Sequence, residues 1–289
     1  MQTQANIAIA YEQGRFLTRS FNKNVTVNTT TGVAQDLSGV SGNPIAQYFL
    51  GASGTSTVLS YLNNDKGLDH GGTKTGFRKF LHKVTLQTPI AGLTPSVLEL
   101  YDYLLFYPFI GMDSGLQALT NTVPRPRYSS AVGVQMMLIE QNPYAGGATV
   151  RVGYTNQDGV AGRLTPIITL NAITPAGTIA TSSPTQLGAS GDLLPLQQGD
   201  TGVTQVDTIE FLTADIGTVC VCLVQPITSL YIFEPFSPCM YDLWFHNNEL
   251  PEIQNDAYLN FVLKPSRALT GAVANTISGS ITTIWTPIV

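Results

Sequence analysis

Apolar and polar positions alternate most plainly from Val150 to Thr155, with Val150, Val152 and Tyr154 on one side and Arg151, Gly153 and Thr155 on the other. A period of two marks a strand with one buried face. Asn156-Gln157-Asp158-Gly159 then supplies short polar side chains and a glycine, the chemistry of a tight reversal, so a second strand should return from Arg163 to Leu170. The same alternation places Phe80, His82, Val84 and Leu86 opposite Lys79, Lys83, Thr85 and Gln87, with Leu81 the one apolar exception on the outer side. His82 on that inner face reads as a core imidazole rather than a ligand. Ile209 and Phe211 share a face with Asp207, and Val206, Thr208, Glu210 and Leu212 take the other.

Other segments fill out the pattern. Val132, Val134, Met136 and Leu138 form a strand, and Thr218 to Val224 is apolar on both faces, as a central strand must be. Further strands are expected at 56–62, 229–233, 240–246, 258–263 and 277–285, separated by breaks such as Glu234-Pro235, Ser237-Pro238 and Lys264-Pro265. One helix is expected at 95–107: Thr94 is a cap residue, Pro95 suits the first helical position, and Val97, Leu98, Tyr101, Leu104 and Leu105 recur at helical intervals. Residues 1–55 are rich in Asn, Gln, Thr, Gly and Ser and read as an extended N-terminal arm, with residues 56–289 as a β-rich domain that has room for two subdomains. Residues 171–191, poor in large apolar side chains, read as a long surface loop. Many short strands with turn signals at close intervals predict a mainly β fold, an antiparallel sandwich or jelly roll with a single prominent helix.

Composition changes this picture in one respect. Only 11% of the 289 residues are charged, against about a quarter in an ordinary soluble domain. A surface of amides and hydroxyls desolvates more cheaply than one of charges, which suits a subunit covered by neighbours. The net charge is −5, with 14 basic and 19 acidic residues and no run of either sign, so direct nucleic-acid binding is not expected. No apolar run reaches the length of a bilayer span, and the N-terminus lacks the basic and apolar regions of a signal peptide, so synthesis in a cytoplasm is the expectation.

Little catalytic chemistry is visible. The nucleophile elbow, the phosphate-binding glycine loop and the zinc-protease helix motif are missing, and His70, His82 and His246 are scattered. Asp158, Asp200 and Glu210 could form a carboxylate pair only if the fold brought them together. Asp69-His70-Gly71-Gly72 lacks the ligand intervals of a calcium loop and reads as a turn. Cys220 and Cys222, two apart on a strand, share a face as small hydrophobes; a disulfide to Cys239, or zinc held with His246, are the competing arrangements. No enzyme activity, metal or cofactor is expected. Partner contacts are expected instead from Arg125 and Arg127, which an extended Pro-Arg-Pro-Arg segment projects in a similar direction, from Tyr144 in a turn, and from Tyr11 and Phe16 on the arm.

Three segments taken together resemble a group of tailed-bacteriophage virion structural proteins. They are Val97-Leu98-Glu99-Leu100-Tyr101-Asp102-Tyr103-Leu104 with Gly111, then Tyr154-Thr155-Asn156-Gln157-Asp158-Gly159 with Gly162-Arg163, then Leu196-Gln197-Gln198-Gly199-Asp200-Thr201-Gly202-Val203 leading to Val224-Gln225-Pro226-Ile227. The similarity spans roughly residues 80–230. It implies a virion subunit with no catalytic residues to carry over: a capsid decoration or cement protein, whose partners are the major capsid protein and copies of itself in a homo-oligomer. A tail or baseplate protein is the alternative within that class. A glycan-binding receptor module, using Tyr144, Trp244 and Trp285, is the alternative outside it.

Overall fold

The computed structural model describes residues 3–25, 32–63, 67–89, 93–113, 115–143, 147–171, 176–181, 191–247, 249–266 and 275–288. Helix α1 (Gln4–Glu12) leads into β1 (Phe16–Val25), and the short strands β2 (Gln35–Asp36), β3 (Gly42–Asn43) and β4 (Thr57–Val58) precede β5 (Phe77–Gln87). Then come β6 (Ser96–Gly111), β7 (Gly115–Ala118), β8 (Gln135–Asn142), β9 (Thr149–Asn156), β10 (Arg163–Leu164) and β11 (Ile168–Thr169). The last third holds β12 (Val203–Phe211), β13 (Thr218–Ile232), β14 (Cys239–Asp242), α2 (Leu243–Asn247), β15 (Leu259–Pro265) and β16 (Asn275–Pro287). Paired strands run antiparallel throughout, so the mainly β antiparallel class read from the sequence is the one observed.

The strands form three sheets, ordered β2-β15-β6-β13-β8, β14-β5-β16-β1-β3 and β10-β9-β12-β7. The first of these, the central sheet, curls until its edges meet. Thr178 bridges Gln35 on β2 and Ile179 bridges Ile139 on β8, with Ile179 N–H donating to the Ala34 carbonyl at 2.9 Å and Ala180 N–H to that of Leu138 at 2.8 Å. A closed sheet has no exposed edge, and this one becomes a small barrel. Tyr101, Tyr103, Phe106, Met137, Cys220, Cys222, Tyr258 and Val262 fill its interior. Its outer face packs on the two flanking sheets: Leu98, Leu100, Leu230 and Phe261 meet Phe21, Val84, Leu86 and Ile281 at one end. Leu104, Tyr107, Val219 and Leu223 meet Val152, Tyr154, Val206 and Phe211 at the other.

Three expectations are corrected. Residues 95–107 are not a helix but most of β6, the long middle strand of the barrel. Because β6 is covered on both faces, nearly every position is apolar or aromatic, and helical spacing is merely a subset of such a run. The aromatic and β-branched content fits a pleated sheet better than a helix. The supposed arm is also built in: β1 pairs along its length with β16, from Phe16 opposite Ile284 to Val25 opposite Asn275. Before it, α1 is capped by Thr3, whose Oγ1 accepts the Asn6 N–H at 3.3 Å. Finally, residues 176–181, placed by sequence in a surface loop, supply the barrel seam.

Candidate interaction surface

The five residues expected to meet partners have different fates. Arg127 is turned inward. Its Nε and Nη2 grip both oxygens of buried Asp102 at 2.9 and 2.8 Å, and the remaining donors reach the carbonyls of Leu59 and Tyr103 and the Asp256 carboxylate. Asp102 lies between Leu100 and Leu104, where the two halves of the outer barrel face meet, so this pair pins the junction of two cores. Arg125 spends its donors on the carbonyls of Arg127, Val203, Thr204, Tyr128 and Ser129, fastening its own loop to β12. Neither arginine is free to pair with a neighbour. Tyr11 is half-buried, its hydroxyl 2.7 Å from Nδ1 of His82. Phe16 remains exposed, its ring 4.8 Å from that of Tyr11. Tyr144 lies outside the described residues. Of the tryptophans proposed for glycan stacking, Trp285 is buried and Trp244 is half-buried against the core that β5 and β16 share.

The titratable groups are committed to structure. Asp200 accepts from Tyr154 Oη, Asn156 Nδ2 and Arg163 Nε at 2.7, 2.8 and 2.8 Å, and these bonds hold its carboxyl down at about 2. Glu210 pairs with Arg151. Asp200 and Glu210 therefore serve separate ion pairs rather than one carboxylate pair. Asp69 takes Arg19, Tyr61 Oη and the Gly71 N–H, a turn cluster as read from sequence. Buried Lys79 donates to His70 Nδ1 at 2.9 Å and to the Gly71 carbonyl at 2.6 Å; burial pushes the lysine down to about 8 and the histidine to about 4. All three cysteines are free, and the Sγ atoms of Cys220 and Cys222 lie 3.7 Å apart inside the barrel. No group of three or more metal-ligating side chains occurs among the described residues.

What the surface does offer is apolar. The turn from β13 to β14, together with α2, exposes Tyr231, Phe233, Phe236, Met240 and Phe245; Phe236 and Phe245 are 77% and 73% accessible. The rings of Tyr231 and Phe233 stack at 5.7 Å. Pro235 and Pro238 lack the N–H that would continue a ladder, so the chain leaves the sheet here. Phe236 is held in the left-handed region at φ 60°, with its N–H donated to the Thr88 carbonyl at 2.8 Å. Between Asp215 and Asp242, Glu234 is the sole charged residue.

A second feature lies at the far end of the barrel, where β6 and β8 finish. A cleft of about 380 Å³ opens between residues 39–41, residues 47–50, Phe109, Gln141 and Gly177, with the buried acids Asp36 and Glu140 also in its lining. Phe49 and Phe109 line it with φ of 47° and 51°, a costly conformation for an aromatic residue that needs its surroundings to hold it. Gln141 does so: its Oε1 accepts the Phe109 N–H and its Nε2 reaches the carbonyls of Tyr48 and Phe49. Tyr48 and Leu50 stand exposed at the rim, and no charged residue occurs from Leu37 to Asn64. Neither feature was read from the sequence, although the uncharged runs that contain them were there to be seen.

No family model matches the chain, and no curated protein matches it. Among solved structures it is similar to the infectious bursal disease virus VP2 subviral particle, with a TM-score of 0.19 and 6% identity over 94% of this chain and 81% of that one. It is similar also to the infectious bursal disease virus Gt strain structure, with a TM-score of 0.19 and 7% identity over 95% and 82%. Superposition at that level establishes neither a fold family nor a function.

Proposed function

We propose that this chain is a non-enzymatic structural subunit of a bacteriophage virion, and within the particle a decoration or cement protein that binds the major capsid shell and stabilises it. The observation that carries the structural reading is the exposure of Tyr231, Phe233, Phe236, Met240 and Phe245 along one stretch of chain in which Glu234 and Asp242 are the only charges. Large exposed apolar groups in such a setting are interface material, since water gains from their burial and few ions must be desolvated. The phage assignment rests on the resemblance of the three segments given above. Two of them meet in the fold: Tyr154, Asn156 and Arg163 all bond Asp200, and Gln157 Oε1 accepts the N–H groups of Thr201 and Gly202. The tail or baseplate reading would use the same surface.

The test is to incubate the purified chain with empty capsids of a tailed phage and measure co-sedimentation and shell melting. Stoichiometric binding with a raised shell melting temperature is expected; no binding to the shell would sink the cement reading. A glycan-binding reading is favoured by a separate feature, an uncharged groove across β1, β16 and β5 lined by Ser20, Asn22, Thr85, Gln87, Ser278 and Ser280. It predicts saturable retention on host-surface polysaccharide.

A further inference from the structure

We infer that copies of this chain join head to tail, the Phe236-tipped turn of one copy entering the barrel-end cleft of the next. The inference rests on the assembly reading above and names its contact.

The two features are complementary in chemistry. The turn presents Phe233 and Phe236 on a projecting segment whose one charge is Glu234. The cleft is walled by Val40, Phe49, Leu50, Phe109 and Ile139, and the two acids in its lining, Asp36 and Glu140, are themselves buried. The Phe236 ring entering it would shed water from both partners without stripping an exposed ion of the cleft of its hydration. Burying an exposed Phe in a desolvated, aromatic-lined recess is the usual form of an interface anchor.

The two are also placed so that one copy cannot satisfy itself. The turn leaves the barrel where Tyr231 and Ile232 pair with Val97 and Ser96, at the start of β6. The cleft lies at Phe109, near the end of the same strand. Thirteen residues at about 3.4 Å each put roughly 44 Å of strand between them. A knob at one end and a socket at the other make a heterologous contact, which closes into a ring or runs on as a filament. Both halves hold phenylalanines in the left-handed region: Phe236 on the knob, Phe49 and Phe109 in the socket. Each is fixed by a specific hydrogen bond to its backbone, Thr88 on one side and Gln141 on the other.

A heterologous contact has a signature no two-fold contact can imitate. Phe236→Asp spoils the knob and leaves the socket; Leu50→Asp spoils the socket and leaves the knob. Both positions are exposed, so neither change empties the core. Sedimentation velocity of the full chain should show concentration-dependent association, weakened about thirtyfold or more in each variant. An equimolar mixture of the two variants should form one-to-one dimers that grow no further. Melting temperature and circular dichroism check the fold. If either variant unfolds, Phe236→Asn, whose side chain tolerates the left-handed backbone, and Tyr48→Asp take their places. A wild-type chain that stays monomeric, variants that associate as wild type does, or a mixture that gives no dimers would each overturn the head-to-tail contact. Capsid binding, measured separately, would still decide the cement reading.

Discussion

Replacing Glu140 by glutamine should stabilise the protein at neutral pH and change the shape of its pH dependence. Glu140 lies on β8 beside the buried Met136 and Leu138, is fully buried, and neither carboxyl oxygen has a hydrogen-bond partner. Burial without a compensating charge raises its pKa from 4.5 to about 9. The folded chain therefore holds a proton that the unfolded chain has released at any pH between those values. The state that binds more protons loses ground as pH rises, so this group's contribution is fully present below about 4.5 and is lost progressively up to about 9. At pH 7 the lost stability is the cost of protonating an ordinary glutamate, about 3 kcal/mol. Glutamine has nearly the same shape and never ionises. It leaves its own amide unpartnered in the same place, which offsets part of the gain, so about 1–3 kcal/mol at pH 7 is expected. Urea unfolding of both proteins from pH 4 to pH 9 is the assay. The difference between the two stability curves should be constant below about pH 4.5 and should grow in favour of glutamine above it, approaching about 1.4 kcal/mol per pH unit. Parallel curves between pH 5 and pH 8 would refute the reasoning, because they would mean that Glu140 folds with its charge intact.

Two other perturbations probe the barrel. Arg127→Leu should cost about 3–5 kcal/mol, since it strands the buried Asp102 carboxylate; pairing it with Asp102→Asn should restore much of the loss, read as recovery of the melting temperature, and equal losses in the single and double variants would count against a coupled pair. Thiol titration of the native protein should find Cys239 reactive and Cys220 and Cys222 silent until denaturant is added, because the latter two are sealed in the barrel and burial raises the Cys222 thiol well above its ordinary range. Rapid native reaction of all three would mean that the barrel opens easily.

Strands with one wet face were legible in the sequence because alternation survives there. β9 and β12 show it, and the Asn156-Gln157-Asp158-Gly159 reversal follows β9 as its composition requires. β6 was not legible, for the opposite reason: covered inside and outside, it has no polar face to set a period, and register shifts against β13 between Ile110 and Tyr107 and between Leu105 and Tyr103 move the apolar set from one parity to the other. The seam at 176–181 was hidden by composition, Ala-Gly-Thr-Ile-Ala-Thr, in which backbone bonds do what side chains usually advertise. Arg127 was misjudged, yet a clue was present. Asp102 is an acid flanked by two tyrosines in a largely apolar run of sixteen residues, and a buried acid needs a cation from elsewhere in the chain.

The scarcity of charge takes on different meanings once the fold is known. Uncharged stretches fall on covered and uncovered elements alike: residues 164–191 and 268–289 carry no charge, and the second contains β16 in the middle of a flanking sheet. Two runs also reach apolar surface: part of the run from Leu37 to Asn64 lines the barrel-end cleft, and the run from Ile216 to Phe233, most of it the covered strand β13, ends in the projecting turn, where Glu234 is the one charge before Asp242. The exposed faces elsewhere keep their ions: Arg19 with Asp69, Arg78 with Glu252, Arg151 with Glu210. The concave surface at one end keeps its two acids, Asp36 and Glu140, buried, and the projecting surface at the other carries Glu234 alone, which is the distribution a subunit needs if those two places are to lose their water to a neighbour.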